Sequence, residues 1–327
     1  MTQTANSQIA TSQTELHVVL GAGGAAGSAL VRKLLRQGQQ TRAVYRKPPV
    51  ATGSGAEQIS ADVTNPASVA QAAKGASVVY MAAQPAYTRW PQDFPPMLSA
   101  VIEGVATAAA RLVMVDNLYS YFPVTGPLRE DSVQQPLSKK GEVRLQLAQM
   151  LLDAHRQGRL WVAIGRASDF YGPGVHGSAV GAPFFEAVLK GKRPQWVGRT
   201  DQPHSFTFID DYARALILLG QNEDAFGQVW HVPTAEPMSG TDFAHLIAQV
   251  AGVAPGALAA LRGLPLQILS RFIPIVREMA EIQYMANAPF VIDGSRFAAA
   301  FPFTPTEHRE AVTQTLRALQ ANGPAAH

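Results

Sequence analysis

A chain of 327 residues is long enough for one large core or for two fused lobes. Its charged fraction is 16%, its hydrophobic fraction 47% and its net charge +3, with no basic run longer than two, which argues for a compact globule and against nucleic-acid binding. The absence of cysteine excludes disulfides, thiol nucleophiles and thiolate-held metals.

In chain order, residues 1–14 are polar and unlike a signal peptide, and read as a flexible tail on a cytoplasmic protein. A strand is expected over 16–20, ending in the apolar Val18, Val19 and Leu20. It runs straight into Gly21-Ala22-Gly23-Gly24-Ala25-Ala26-Gly27 and a helical pattern over 27–37. Gly21 permits a sharp turn, Gly24 leaves room for phosphates to approach the backbone, and Gly27 lets the helix pack closely on the sheet. Together with Gly23, Ala25 and Ala26, they form a pyrophosphate cradle at a helix N-terminus.

A second strand over 41–46 ends in Arg46-Lys47, where an acidic residue would select NAD. Two cations suit a 2′-phosphate, so NADP is the expected cofactor, with NAD as the alternative. A third strand, 58–60, leads to Asp62-Val63, placed to receive the adenine amino group and to lie along the ring. A helix is expected over 66–74 and a fourth strand over 77–82, followed by the small residues Ala82 and Ala83 and by Gln84, which let backbone pass the cofactor closely. A helix over 96–110, a strand over 111–116, a helix over 142–157 and a strand over 160–165 complete the alternation, with one more strand over 228–232. Alternation of this kind gives a doubly wound parallel sheet, α/β and Rossmann-type.

The later chain changes character. Residues 172–204 are rich in Gly and Pro, and 234–327 are mostly helical in pattern. The expected division is a dinucleotide-binding domain over 15–175, to which 205–233 returns, and a smaller substrate lobe from 176–204 and 234–327. Leu266, Leu269, Phe272, Ile273, Val276, Met279 and Ile282 recur at helical spacing, interrupted by Pro274. Such a stripe is read first as core, and second as the roof of an apolar pocket. His204 and His231 lie in apolar, strand-like segments and are expected to be structural. The eight histidines show no ligand spacing, and no metal site is expected.

These features resemble the extended short-chain dehydrogenase/reductases, the group of NAD(P)-dependent sugar epimerases and dehydratases. The carriers are Gly21, Gly24 and Gly27, Asp62-Val63, Tyr80-Met81-Ala82-Ala83, the segment from Arg166 through Tyr171 to Gly174, and the segment from His204 through Asp211 to Ala213. Asp293-Gly-Ser-Arg296-Phe resembles the late helix that closes the substrate lobe. The resemblance spans about residues 15–320. It implies a Rossmann-like NAD(P) domain, a cofactor-facing Arg166, and a small-molecule substrate held by the C-terminal lobe of a monomer or homodimer.

The family's Tyr-x-x-x-Lys pair and its upstream Ser or Thr are disturbed. The matching segment reads Gln135-Pro136-Leu137-Ser138-Lys139-Lys140, so the lysine, which in the family holds the nicotinamide ribose and lowers the tyrosine pKa, is expected by this resemblance to be Lys140, without a phenol four residues before it. Asn117 takes the place of the Ser or Thr. Tyr119 and Tyr121 are the nearest replacement acids, and both remain candidates. Tyr87, Tyr121 and His176 are the expected substrate contacts. Two readings stay open: an NAD(P)-dependent oxidoreductase or epimerase/dehydratase-like enzyme with an atypical active site, acting on a small carbonyl or alcohol, or a non-catalytic NADP-binding sensor.

Overall fold

The computed structural model describes residues 15–47 and 55–321, so the expected tail at 1–14 lies outside the described residues. Seven strands, β1 (Leu16–Leu20), β2 (Gln40–Tyr45), β3 (Glu57–Ser60), β4 (Val78–Met81), β5 (Arg111–Asn117), β6 (Val162–Ala167) and β10 (Gln228–His231), form one parallel sheet. Its order is β10-β6-β5-β4-β1-β2-β3. The order reverses between β1 and β4, and in open α/β sheets ligands bind beyond the carboxyl ends of the strands at that point.

The strands are apolar on both faces because both faces are covered. Val18, Leu112 and Met114 point into a core beneath α2 (Pro66–Ala73), α3 (Trp90–Thr107) and α4 (Lys139–Arg156). Their neighbours Val19 and Val113 point into the opposite core, shared by α1 (Ala25–Arg36), α6 (Ile209–Gln221) and α11 (Ser295–Ala300). α11 is the late helix expected around Arg296. A third core joins α5 (Ala182–Leu189), α7 (Gly240–Ala251) and α12 (His308–Ala321) around Tyr171, Phe185, Phe206 and Phe243. Two small parallel pairs flank it: β7 (Asp169–Tyr171) with β9 (Phe206–Phe208), and β8 (Gln195–Val197) with β11 (Ala259–Leu261).

Three expectations shift. α3 begins at Trp90, six residues before the expected 96, and contains Pro95 and Pro96. The prolines look like a helix start in sequence, but burial of Trp90 and Phe94 in the core carries the helix through them. α4 begins at Lys139, three residues before the expected 142, because the Ser138 hydroxyl caps it by accepting from Gly141 N at 3.0 Å. The stripe over 264–286 is not core. It breaks into α8 (Gly263–Phe272), α9 (Pro274–Glu281) and α10 (Tyr284–Asn287). Leu266 is buried, whereas Leu269, Phe272 and Ile273 are exposed; the Met279 side chain lies outside the described residues.

Candidate active site

The turn after β1 shows what each glycine does. Gly21 has φ +85°, and a Cβ there would lie 2.5 Å from Ala83 N. A Cβ on Gly27 would lie 2.2 Å from Gly21 O, so α1 sits too close to the turn for any side chain. Gly24 differs: its Cβ would meet only Gly21 O, at 3.5 Å, an ordinary contact. Protein packing does not demand glycine at 24; the space it leaves belongs to a cleft. That cleft has a volume of about 970 Å³. Gly21, Gly23, Gly24, Ala25 and Ala26 line one end, with exposed Arg46 and Lys47 at the close of β2 beside them. Asp62, Val63, Ala82, Ala83 and Gln84 line the same stretch. Asp62 accepts from Thr64 N at 2.9 Å and from the Thr64 hydroxyl at 2.7 Å, and these bonds hold its carboxyl below the usual range. The adjacent helix α2 is capped by Asn65, which accepts from Ala67 N and Ser68 N. An open, side-chain-free cradle at a helix N-terminus, with cations at the end of β2, fits a dinucleotide phosphate group.

The other end of the cleft lies beyond β5. Asn117 and Tyr119 line it, and Asn117 Oδ1 accepts from Tyr119 N at 3.1 Å, which fixes the exit of the strand. Tyr87, from the turn before α3, stands beside Tyr119, close enough for each phenol to shift the other. Burial raises both phenols above their ordinary value, and the nearby Asp169 carboxylate adds to this, so both stay neutral. Trp90, Phe94, Met97, Phe170 and Met285 give this end an apolar wall.

Arg144 is a lining residue to which the sequence reading gave no role. It projects from α4 into the cleft wall, stacked 4.2 Å over the Trp90 ring and 4.9 Å over Phe94. It donates to Gln84 Oε1 at 3.2 Å and to Asp116 Oδ1 at 3.3 Å. Asp116 is also bound more closely by Arg166, at 2.8 Å. Two buried guanidiniums thus share the Asp116 carboxylate. Burial lowers the Arg144 pKa, opposed by Asp116. The sequence signal was present: Lys140 and Arg144 have the four-residue spacing of the Tyr-x-x-x-Lys pair. It is legible only once the helix is known to be capped by Ser138 and to start at Lys139.

The expected site residues do not all meet. Lys140 is buried but does not line the cleft. It stands on the first turn of α4 with its ammonium paired to Glu278 and Glu281 of α9, 4.4 Å over the Tyr87 ring. Arg166 and Tyr121 are likewise behind the wall. Arg166 donates to the Tyr121 hydroxyl at 2.7 Å, which pairs with His231 Nε2 at 2.7 Å; His231 Nδ1 lies 2.9 Å from Leu128 O. His231 is therefore satisfied inside the protein, and burial holds its pKa down at about 3. His176 is exposed and stands outside the lining, whereas Val175, Gly177 and Ser178 on either side belong to it. His204 Nε2 lies 3.0 Å from Asp169, one of the cleft carboxylates, and 3.3 Å from the Ser168 hydroxyl.

The fold recurs in known proteins. The chain has the fold of UDP-N-acetylglucosamine 4-epimerase from Bacillus cereus, at 14% identity and a TM-score of 0.77, with 95% of this chain and 99% of that one covered. A UDP-glucuronic acid 4-epimerase from Bacillus cereus, in complex with UDP-glucuronic acid and NAD, matches at 19% identity and a TM-score of 0.76, covering 94% of this chain and 100% of that one. A double mutant of DesIV, the dTDP-glucose 4,6-dehydratase of Streptomyces venezuelae, with NAD bound, matches at 16% identity and a TM-score of 0.74, over 94% and 97% of the two chains. No curated protein matches the sequence. The model of the NAD-dependent epimerase/dehydratase family matches residues 17–232, about two thirds of the chain, including the glycine turn, β5, α4 and β6. The chain belongs to that family of enzymes.

Proposed function

We propose that the protein is an NADP-preferring oxidoreductase, reducing a carbonyl or oxidising an alcohol on a small substrate with an apolar body, and that Tyr119 is its acid. The observation that carries this reading is a single cleft joining the phosphate cradle to the Tyr87–Tyr119 pair over Arg144. The chemistry a nicotinamide dinucleotide supplies when bound is hydride transfer. Gly21, Gly23, Gly24, Ala25 and Ala26 would hold its phosphates, Arg46 and Lys47 a 2′-phosphate, Asp62 and Val63 the adenine, and Ala82, Ala83 and Gln84 the backbone passage between. Arg144 takes the ribose-holding duty expected of Lys140, because it is the α4 cation on the cleft wall. It also lends positive charge to an oxygen that becomes negative as a carbonyl is reduced.

Tyr119 lines the cleft beside Tyr87, which puts its hydroxyl within reach of a substrate oxygen held there. A neutral phenol is the right form to protonate an alkoxide. The wall of Trp90, Phe94, Met97, Phe170 and Met285 favours an apolar substrate body over a sugar. The test is turnover of a panel of aldehydes, ketones and alcohols with NADPH or NADP. Tyr119→Phe is expected to lower turnover by roughly a hundredfold or more, with cofactor affinity kept. Unchanged turnover refutes Tyr119 as the acid. Tight NADP binding with no turnover anywhere in the panel supports the sensor reading, which is favoured by the absence of a phenol at either member of the Lys140–Arg144 pair.

A further inference from the structure

The broken stripe at α8 and α9 leaves an apolar face without a partner among the described residues. Leu264, Ile268 and Phe272 recur every fourth residue along α8 and so share one side. Leu264 is 69% and Phe272 78% exposed, with Ile268, Leu269 and Ile273 exposed beside them. Monomeric proteins seldom leave large apolar side chains together in water without a use.

The charge around this face has one sign. From residue 243 to 277 the sequence contains no Asp or Glu, while Arg262, Arg271 and Arg277 are all present and all exposed. Arg277 Nε donates to Ser270 O at 3.2 Å, closing the corner between α8 and α9. The acids that follow, Glu278 and Glu281, are turned inward onto buried Lys140. An apolar stripe flanked by arginines, with no carboxylate in its own stretch of chain, is complementary to an anionic bilayer, in which acyl chains receive the apolar side chains and headgroups the guanidiniums. No helix among the described residues is long and apolar enough to cross a membrane, so contact of this kind is peripheral.

We propose that α8 and the α8–α9 corner form a docking surface for an anionic lipid bilayer. Lys140 ties α9 to α4 and lies over Tyr87, so the docked surface stands beside the mouth of the cleft. A substrate dissolved in the bilayer then reaches the cleft without crossing bulk water. That consequence rests on the reading of the site given above; docking itself does not, and it is measured without any turnover.

The test is co-sedimentation of the full chain with vesicles of phosphatidylcholine alone and of phosphatidylcholine mixed with phosphatidylglycerol. Binding is expected to the mixed vesicles and to weaken with salt. Phe272→Asp is expected to reduce partitioning about tenfold or more, and Arg271→Gln about fivefold. Both positions are exposed, so circular dichroism and NADP affinity should stay as in the parent. Val133→Asp, at an exposed apolar residue far along the chain, serves as the control and should bind vesicles normally. Failure of the parent protein to sediment with mixed vesicles overturns the proposal, and so does an equal loss in the Val133 control. A dimer in sedimentation equilibrium that Phe272→Asp dissolves, without vesicle binding, also overturns it and makes a second copy the occupant.

Discussion

At Gly24 the protein itself makes no demand for glycine, and this separates a binding defect from a folding defect. A valine there would meet Gly21 O at ordinary distance with its Cβ and project its methyls into the cleft. Gly24→Val is expected to fold, with an unchanged thermal midpoint, and to bind neither NADP nor NAD in calorimetry. Valine at Gly27 would instead disrupt the turn, since even a Cβ overlaps Gly21 O. Arg46→Ala probes cofactor choice. Loss of a charged hydrogen bond to a 2′-phosphate should weaken NADP by about ten- to a hundredfold and leave NAD nearly unchanged. Equal weakening of both would make Arg46 structural. At this scale a local motif was enough to place residues on the cleft, as at the glycine turn, the end of β2 and Asp62-Val63. It was not enough for Lys140, Arg144, Arg166 and Tyr121. Whether a cation faces a cleft or lies behind its wall depends on helix phase and on partners distant in sequence, here Asp116, Glu278 and Glu281.

The helix that decides that phase is α4. Its first turn lies against the loop leaving β5, and Gly141 is the point of closest approach. A Cβ at 141 would sit 2.3 Å from Tyr119 O and 2.6 Å from the Pro136 ring. Alanine is the better helix former by about 1 kcal/mol, yet overlap with a backbone carbonyl must push the helix or the loop aside. Gly141→Ala is therefore expected to destabilise by about 1–3 kcal/mol in denaturant unfolding, and to lower any activity that relies on the placement of Tyr119 and Arg144 in the cleft. Stabilisation would show that the loop yields freely. Strand positions were legible because continuous apolar runs mark buried parallel strands whatever surrounds them. Helix starts were not, at α3 and α4 alike. A buried aromatic pair overrode prolines in the first, and a single serine cap placed the second three residues early.

Over the whole molecule, burial of imidazoles sets a dependence on pH. His17, His231 and His308 are all held below the ordinary 6.5, His231 at about 3, because their charged forms are desolvated. As pH falls below 6.5, the unfolded chain takes up these protons first. Stability is thus fullest above that value and is lost progressively towards the folded-state values. The thermal midpoint is expected to fall between neutral pH and about pH 4.5, and less steeply in His231→Gln, whose amide can bridge Tyr121 and Leu128 without titrating. A midpoint flat across this window would contradict the assignment.

By itself the sequence determined the parallel sheet, the glycine cradle and the cations at the end of β2. Each of these follows from residues within a few positions of one another, through backbone conformation, apolar runs and charge at a strand end. It also determined that the family's phenol is missing before Lys140, since that is a matter of residue identity. Only the tertiary structure decided that Arg144 faces the cleft and Lys140 the α9 carboxylates, that Tyr87 meets Tyr119, and that the stripe after residue 264 lies open to solvent. The reason is the same in each case: an amphipathic period shows that a helix has two faces, and the rest of the fold determines which face is covered.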